Sequence, residues 1–393
     1  MRSPARPVPF VPRLRVRDFR SIADCDLALG PLTVVVGFNA SGKSNLLDAL
    51  RFVADAVRTS PVRAVEDRGG LDALLRRGRD GQAESFEIVL DLLLPPLSEG
   101  GEAVEATYGF AIGRGDDPGM SLAVLRERCR VGSADGWADT PGRPRARLRL
   151  PAEATRDDRF AAVEESLLAM RFYDLEADAL RALEEGTGRR SELGPSGGHL
   201  GQVLDAMATA DRAGKERLDA YLAGLVPGAV GMDERREGRY STVEARFRHG
   251  EAVEEVDIVP RESLSEGTLR ATGVLAALFQ QPVFTGQVSL LGIEEPEKAL
   301  HPAAVGGLYE ALDDAARHTQ VIVTSQSSDL LDNEYVRLDH IRAVASVDGV
   351  TRVGEVDSAG QAIVAKQLMT ISQLHRAGQL MPAAPTGGGP SAR

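Results

Sequence analysis

Leu32-Thr33-Val34-Val35-Val36-Gly37-Phe38-Asn39-Ala40-Ser41-Gly42-Lys43-Ser44-Asn45-Leu46-Leu47 decides how this chain is read. Its first five residues form the β-branched run of a buried strand. From Leu46 onward, Leu47, Leu50, Val53, Ala54 and Val57 share one face of a helix that Ser60-Pro61 brings to an end. Between strand and helix, Gly37 to Ser44 reads Gly-x4-Gly-Lys-Ser, the spacing of a phosphate-binding loop in the setting such a loop requires. Glycine lets main-chain N–H groups point into one concavity, and the first turn of the helix adds uncompensated donors for an anion. Lys43 is placed to reach terminal phosphates and Ser44 to give its hydroxyl to Mg²⁺. The expected contacts are Gly37, Asn39, Ala40, Ser41, Gly42, Lys43, Ser44 and Asn45.

The second chemical signal is far away in sequence. Val288-Ser289-Leu290-Leu291-Gly292-Ile293 is an almost uniformly apolar run that stops at Glu294-Glu295. Two carboxylates at the end of a core strand are costly unless paired or close to a cation. Adjacent strand residues face opposite sides, so the two carry different roles: Glu294 as the outer-sphere Mg²⁺ ligand, Glu295 as the carboxylate that positions and activates water. A helix over 302–317 leads to the buried strand Gln320-Val321-Ile322-Val323-Thr324, followed by Ser325-Gln326-Ser327. Parallel neighbours open toward the same edge, which lets Gln326 meet a γ-phosphate or the attacking water. Ser263-Leu264-Ser265-Glu266-Gly267-Thr268-Leu269-Arg270 precedes another helix, and its hydroxyls and main-chain donors suit a phosphate contact or an ordinary helix start equally.

Around these signals the chain has the make-up of a globular protein. Its 393 residues allow two or three packed units, and two cysteines, Cys25 and Cys129, build neither a disulfide framework nor a metal cluster. No stretch has the length and apolarity of a membrane span or a secretory signal, so a cytoplasmic location without membrane contact is the expectation. The net charge of −12 offers no overall positive field for nucleic acid. Two local clusters, Arg76, Arg77 and Arg79, and Arg143, Arg145, Arg147 and Arg149, are candidate polyanion contacts or, more plainly, solvated loops and strand edges. Strands are expected around Leu14 to Phe19, 22–29, 86–92, 108–112, 122–125 and 145–150. Apolar steps of three and four predict helix through Val163, Leu167 and Met170, then Phe172, Leu175, Ala179 and Leu183. The pattern repeats at Leu200 to Met207 and at Leu218 to Leu225. No sustained heptad is present, which excludes a coiled-coil arm from this region. Beyond Gly360 an amphipathic helix would use Ile363, Val364, Leu368 and Ile371, and 382–393 is low-complexity and expected to be disordered.

Taken with Arg17-Asp18-Phe19-Arg20-Ser21 and Ile293-Glu294-Glu295-Pro296-Glu297-Lys298-Ala299-Leu300-His301-Pro302, these motifs in this order resemble the ABC-class ATPases of the SMC, RecF and OLD-nuclease group. The likeness is to the group's stand-alone AAA-family ATPases without a long coiled coil. It implies an α/β fold: an ABC-type P-loop ATPase head with a mixed β-sheet core, flanking antiparallel strands and a compact, mainly helical insertion. The implied organisation is an N-terminal ATPase lobe over 1–95, flanking strands and insertion over 96–257, a C-terminal lobe over 258–371 and a tail over 372–393. It further implies ATP and Mg²⁺ as cofactors and an ATP-dependent homodimer. In that dimer Ser265 and Gly267 of one subunit meet the phosphate held by Lys43 of the other, and His301 lies near the partner or simply at the surface. DNA, and an effector protein such as a nuclease, are the implied partners, in DNA maintenance, repair or phage defence; no nuclease constellation stands out in the chain itself.

Two departures from the group's pattern bear on activity. Gln326 stands where a histidine is common; it hydrogen-bonds but is not a proton-accepting imidazole. Glu266-Gly267-Thr268 replaces Gly-Gly-Gln, and a carboxylate there should point away from nucleotide or meet a basic group. Hydrolysis driving a conformational switch is the leading reading. A regulatory or scaffolding protein with little intrinsic hydrolysis is the alternative, and a small-molecule kinase explains the carboxylate pair and signature segment less well.

Overall fold

The computed structural model describes residues 8, 10–78, 81–98, 100–115, 122–132, 136–138, 145–186, 190–248, 256–347 and 349–384. Arg79 and Arg143, and the tail beyond residue 384, lie outside them. In chain order the principal elements begin with β1 (Arg13–Phe19), β2 (Ile22–Ala28), β3 (Leu32–Val36) and α1 (Lys43–Arg58). Next come β4 (Ser85–Leu94), β5 (Val104–Gly113), β6 (Ala123–Val131), β7 (Trp137–Ala138), α2 (Leu150–Ala154), α3 (Asp158–Leu168) and β8 (Met170–Tyr173). The middle holds α4 (Leu200–Ala210), α5 (Arg212–Leu225), β9 (Ala229–Glu237), β10 (Tyr240–Arg248), β11 (Val256–Pro260) and α6 (Glu266–Phe279). The chain closes with β12 (Leu290–Glu294), α7 (Pro302–Ala315), β13 (Gln320–Ser325), β14 (Ile341–Val347), β15 (Val350–Gly354), α8 (Ser358–Ala365) and α9 (Ile371–Arg376). They divide into two compact units, Pro4–Met170 with Arg337–Arg393, and Arg171–Val336.

The first unit is built on a mixed sheet. β14 lies parallel to β3 with Ile341 opposite Val34, β15 turns back antiparallel to β14, and β15 runs parallel to β2 with Thr351 opposite Ile22. From β2 onward the pairing is antiparallel through β1, β4, β5, β6 and β7. Strand alternation explains this half: in β1 Leu14 and Val16 are buried while Arg13 and Arg17 are exposed. Helix α1 lays Leu46, Leu47, Leu50, Val53 and Val57 into the core. Phe52 meets the rings of Phe19, Phe86 and Phe110 at centroid distances of 6.0, 5.3 and 6.0 Å. Each such ring contributes about 2 kcal/mol on burial.

In the second unit β12 and β13 form a parallel pair with Leu290 opposite Gln320 and Glu294 opposite Thr324. Helices α4 and α5 follow the predicted periodicity, and α6 is the helix expected at the Ser263–Arg270 segment. With them stands a sheet the sequence reading does not assign: β9, β10 and β11 are antiparallel, extended by a short pairing of Glu184–Glu185 with β10.

Three local expectations are corrected. The helix predicted through Met170 and Phe172 stops at Leu168, and Met170–Tyr173 is strand. Aromatic Phe172 and Tyr173 are at home there, and the helical spacing across them is coincidental. The strand expected at 145–150 reduces to one bridge, Val124 with Arg145, before α2 begins. The single helix expected beyond Gly360 is two short ones, α8 and α9, and Leu368 between them is exposed. A capping box of Thr370 and Gln373 starts α9 afresh.

Glu127 in β6 explains why 145–150 is not strand. Its buried carboxylate accepts from Tyr108 Oη at 3.0 Å, Arg145 at 3.0 Å, Arg149 N at 2.5 Å and Leu150 N at 3.1 Å, so it occupies the main-chain donors that open α2. Burial pushes its pKa up, and these hydrogen bonds hold it down in part. Glu127→Ala leaves a buried phenol and two main-chain N–H groups without an acceptor. It is expected to lower unfolding free energy by about 3 kcal/mol in urea titration, with Glu127→Gln recovering part of the loss.

Candidate nucleotide site

The predicted loop is a cradle in the first unit. Ala40 and Gly42 both adopt left-handed backbone, at φ 61° and 101°, which turns the chain sharply before α1. A side chain at Gly37 would collide with Val344 O, and one at Gly42 with the Thr351 hydroxyl. Behind the loop runs a directional relay. Asn45 Nδ2 donates to Ser21 Oγ at 2.6 Å, and Ser21 Oγ lies 2.6 Å from Thr351 Oγ1, which donates to Ser41 O at 2.9 Å. Sequence reading quoted Ser21 without a role and missed Thr351, whose partner is 310 residues away.

Within the cradle, Lys43 Nζ donates to Gly37 O at 2.8 Å and Phe38 O at 2.9 Å. No side chain caps the start of α1 among the described residues. Ser41 Oγ is buried with no hydrogen-bond partner among them, whereas Asn39, Ala40 and Ser44 are exposed. Space only for glycine, uncapped helix donors, an orphaned hydroxyl and an ammonium together fit a polyphosphate. Phe38 is 57% exposed at the loop tip and stacks on His375 of α9, with centroids 5.2 Å apart.

The carboxylates belong to the second unit, where Glu294, Glu295 and Gln326 share the C-terminal ends of the parallel pair. Glu294 and Glu295 are half-buried and Gln326 is exposed. Glu295 has left-handed backbone at φ 42°, and its N–H donates to Thr324 O at 3.0 Å. Glu297, quoted in the sequence reading without a role, is buried and accepts from Ser325 Oγ at 2.6 Å and Gln326 N at 3.3 Å.

Ser265 caps α6, its Oγ accepting from Thr268 N at 3.1 Å, and Gly267 packs so closely on Ala299 O that no side chain fits. Glu266 turns to Arg270 at 2.9 Å, the basic partner expected for it. His301 caps α7 through Nδ1, which accepts from Ala303 N at 3.3 Å. The structure thus gathers Glu294, Glu295 and Gln326 in one unit, with Ser265 and Gly267 at the start of that unit's α6, and the phosphate loop in the other.

Of the arginine clusters, Arg76 pairs with Asp18, Arg145 with Glu127 and Arg149 with Glu153, while Arg77 and Arg147 are exposed. A different set stands out. Arg126, Arg128 and Arg130 alternate along the exposed face of β6 with no ion pair among the described residues. On β1, by contrast, Arg13, Arg15 and Arg17 are paired with Asp26, Asp91 and Asp24. Between them lies a groove of about 970 Å³ whose walls include Arg13, Arg15, Arg128 and Arg130 together with the carboxylates of Asp91 and Glu105.

A mixed sheet, a phosphate loop opening onto α1 and a buried strand ending in adjacent carboxylates define an ABC/AAA-type ATPase head that resembles those of the SMC, RecF and OLD group. Among the described residues it carries no extended coiled coil; the longest helix, α1, has 16 residues. Residues 32–332 match the family described as "AAA domain, putative AbiEii toxin, Type IV TA system", and the chain belongs to that family.

Among relatives, an OLD nuclease of Thermus scotoductus is 24% identical over 360 residues, 84% of this chain and 61% of that protein. A RecF DNA replication and repair protein of Gloeobacter violaceus is 42% identical over 72 residues, 18% of this chain and 17% of that one. The chain therefore spans less than two thirds of the length of these relatives. Among solved structures, a Smc head bound to the C-winged helix domain of ScpA is 16% identical at TM-score 0.57, covering 88% of this chain and 97% of that one. A Smc head with an extended coiled coil, bound to the C-terminal domain of ScpA derived from Pyrococcus furiosus, is 15% identical at TM-score 0.55, covering 92% and 100%. At these identities the likeness is one of fold. No helix among the described residues is long and apolar enough to cross a membrane.

The contact between α9 and the loop tip has a pH signature. Burial, and then the Lys43 charge, lower the His375 pKa below its ordinary 6.5. The unfolded chain therefore takes up the proton first, and stability present above that value is lost as pH falls through it. As pH falls from about 7.5 to about 5.5 the native chain is expected to lose more stability than His375→Phe does, measured by urea titration at each pH. Slope remaining in the variant includes His318, lowered by burial and Arg217.

Proposed function

We propose that the chain is a Mg²⁺-dependent ATPase that uses ATP binding to close a head-to-head homodimer and hydrolysis to release it. The observation that carries this reading is the cradle at Gly37 to Ser44, with its left-handed Ala40 and Gly42, uncapped helix start and inward Lys43. Ser44 and Glu294 would hold Mg²⁺, which, when bound, neutralises charge developing on the transferred phosphoryl group. Lys43 and the loop N–H groups bind phosphate, Glu295 orients and deprotonates water, and Gln326 hydrogen-bonds water or the γ-phosphate. Ser265 and Gly267 reach the nucleotide of the opposite subunit. Dimer closure follows because nucleotide contacts made only in the closed state shift the population toward it.

The exposed, non-imidazole side chain of Gln326 favours a second reading, a regulatory or scaffolding protein that binds ATP and turns it over little. An effector, such as a nuclease, would then do the work under its control. Both readings predict binding, and steady-state phosphate release with and without DNA separates them. Glu295→Gln is expected to keep ATP affinity, accumulate dimer in light scattering and lower turnover by about a hundredfold or more. An unchanged rate removes Glu295 from its role.

The unpaired ladder Arg126, Arg128 and Arg130 beside Trp137 supports DNA as a partner, in maintenance, repair or phage defence. A strand advances roughly 6.6 Å for every second residue, setting three guanidinium groups in a row for a phosphate backbone. Replacing all three by Gln is expected to reduce the slope of log binding constant against log salt by about two to three. Equal slopes for native and variant protein in a fluorescence titration count against this face.

A further inference from the structure

Glu297 is a buried acidic residue of the second unit that the catalytic reading leaves without a task. It is 7% exposed and follows Pro296 at the end of the acidic strand. Its Oε1 is the focus of the turn after β13. Ser325 Oγ donates to it at 2.6 Å and Gln326 N at 3.3 Å, while Ser327 N donates to Ser325 Oγ at 3.0 Å. One carboxyl oxygen therefore fixes three consecutive residues, directly or through one hydroxyl. Ser325 is completely buried, so its hydroxyl has no solvent to turn to. Glu297 Oε2 is buried and has no hydrogen-bond partner among the described residues.

Such a group is expensive to keep. Burial raises its pKa, the hydrogen bonds from Ser325 and Gln326 offset part of that, and the nearby Glu295 charge pushes it up again. A residue held there only to fill space would be cheaper as an apolar side chain. What the carboxyl supplies is geometry: it ties the loop after β12, which carries Glu295, to the turn after β13, which carries Gln326.

We propose that Glu297 is a positioning residue for hydrolysis, holding the Gln326 turn in register with the Glu295 strand end. The inference rests on the ATPase reading and assigns Glu297 no contact with nucleotide. Without the carboxyl, Gln326 samples positions away from the strand end, and turnover suffers while the separate phosphate loop still binds.

The test uses the full chain with Mg²⁺ and ATP, comparing native protein with Glu297→Ala, Glu297→Gln and Ser325→Ala. Glu297→Ala is expected to lower kcat about tenfold or more, with the dissociation constant for ATP changed less than about threefold. Glu297→Gln keeps an acceptor oxygen and is expected to restore most of kcat. In the double variant of Glu297→Ala with Ser325→Ala, kcat is expected to fall no further than in Glu297→Ala alone, because both changes break one link. Amide hydrogen exchange supplies a readout independent of turnover: Gln326 and Ser327 lose protection in Glu297→Ala and keep it in Glu297→Gln. A native-like kcat in Glu297→Ala, equal losses in kcat and ATP affinity, or unchanged protection at both amides overturns the assignment. A native protein that binds ATP without releasing phosphate fails differently, taking the ATPase reading down together with this one.

Discussion

A methyl group on residue 42 would stand where the Thr351 hydroxyl stands, and that exclusion organises the first unit. Thr351 is almost fully buried on β15, and its hydroxyl ties Ser41 O to Ser21, which in turn takes a hydrogen bond from Asn45 at the start of α1. The loop is thus gripped from three places: the β1-β2 turn, the first turn of its own helix, and a strand from the far end of the chain. This is why the C-terminal strands must enter the sheet between β3 and β2 instead of adding at an edge. The left-handed backbone of Ala40, which costs a non-glycine residue about 1 kcal/mol, persists because these surroundings over-determine it.

In the second unit the governing tension is between burial and charge. From Leu290 to Ile293 the strand is closed to solvent, and at Glu294 it opens. Glu295 then takes a left-handed backbone that a strand would never impose, while its N–H stays bonded to Thr324 O. The turn interrupts the pleat at the first residue where alternation would have aimed a carboxylate back into the core. Pro296 is buried directly after it and Glu297 reaches inward to Ser325, so the exit from β12 is held on both sides. Strain at one residue and a desolvated carboxyl two residues on are both costs, and the hydrogen bonds that the carboxyl accepts from Ser325 Oγ and Gln326 N offset part of them.

What could be read from sequence was what is local. The run Leu32 to Val36, the glycine loop and the stripe on α1 each declare themselves within one turn or strand, as do the runs ending at Glu294 and Thr324. Met170 to Tyr173 misled because four residues are too few to show a period of two, and flanking leucines continued a helical step by chance. Strand β9 carries charge on both faces from Asp233 to Glu237, which hides its period, whereas β10 alternates Val243, Ala245 and Phe247 with Glu244, Arg246 and Arg248, a period-two signal too short to stand out beside the helical runs before it. Thr351 and Glu297 were invisible for another reason: each acts through partners hundreds or tens of residues away, and nothing in their neighbours says so. Arg126, Arg128 and Arg130 did carry a local signal, a charge at every second position. The strand expected at 122–125 stops five residues short of Arg130, whereas the strand in the structure runs on to Val131.

Bulk charge illustrates the same point at larger scale. A net of −12 argues against a polyanion partner only if charge is spread evenly, and it is not. On β1 every arginine faces a carboxylate, and such exposed pairs contribute little stability and almost no field beyond a Debye length. On β6 the same alternation carries three arginines with no ion pair among the described residues, and the inward position between them is taken by Glu127, whose carboxylate is spent on Tyr108, Arg145 and the start of α2. The one acid on that strand is therefore turned inward and cannot neutralise its neighbours. A net charge sums over the whole sequence and therefore does not register a local row of three arginines such as this one.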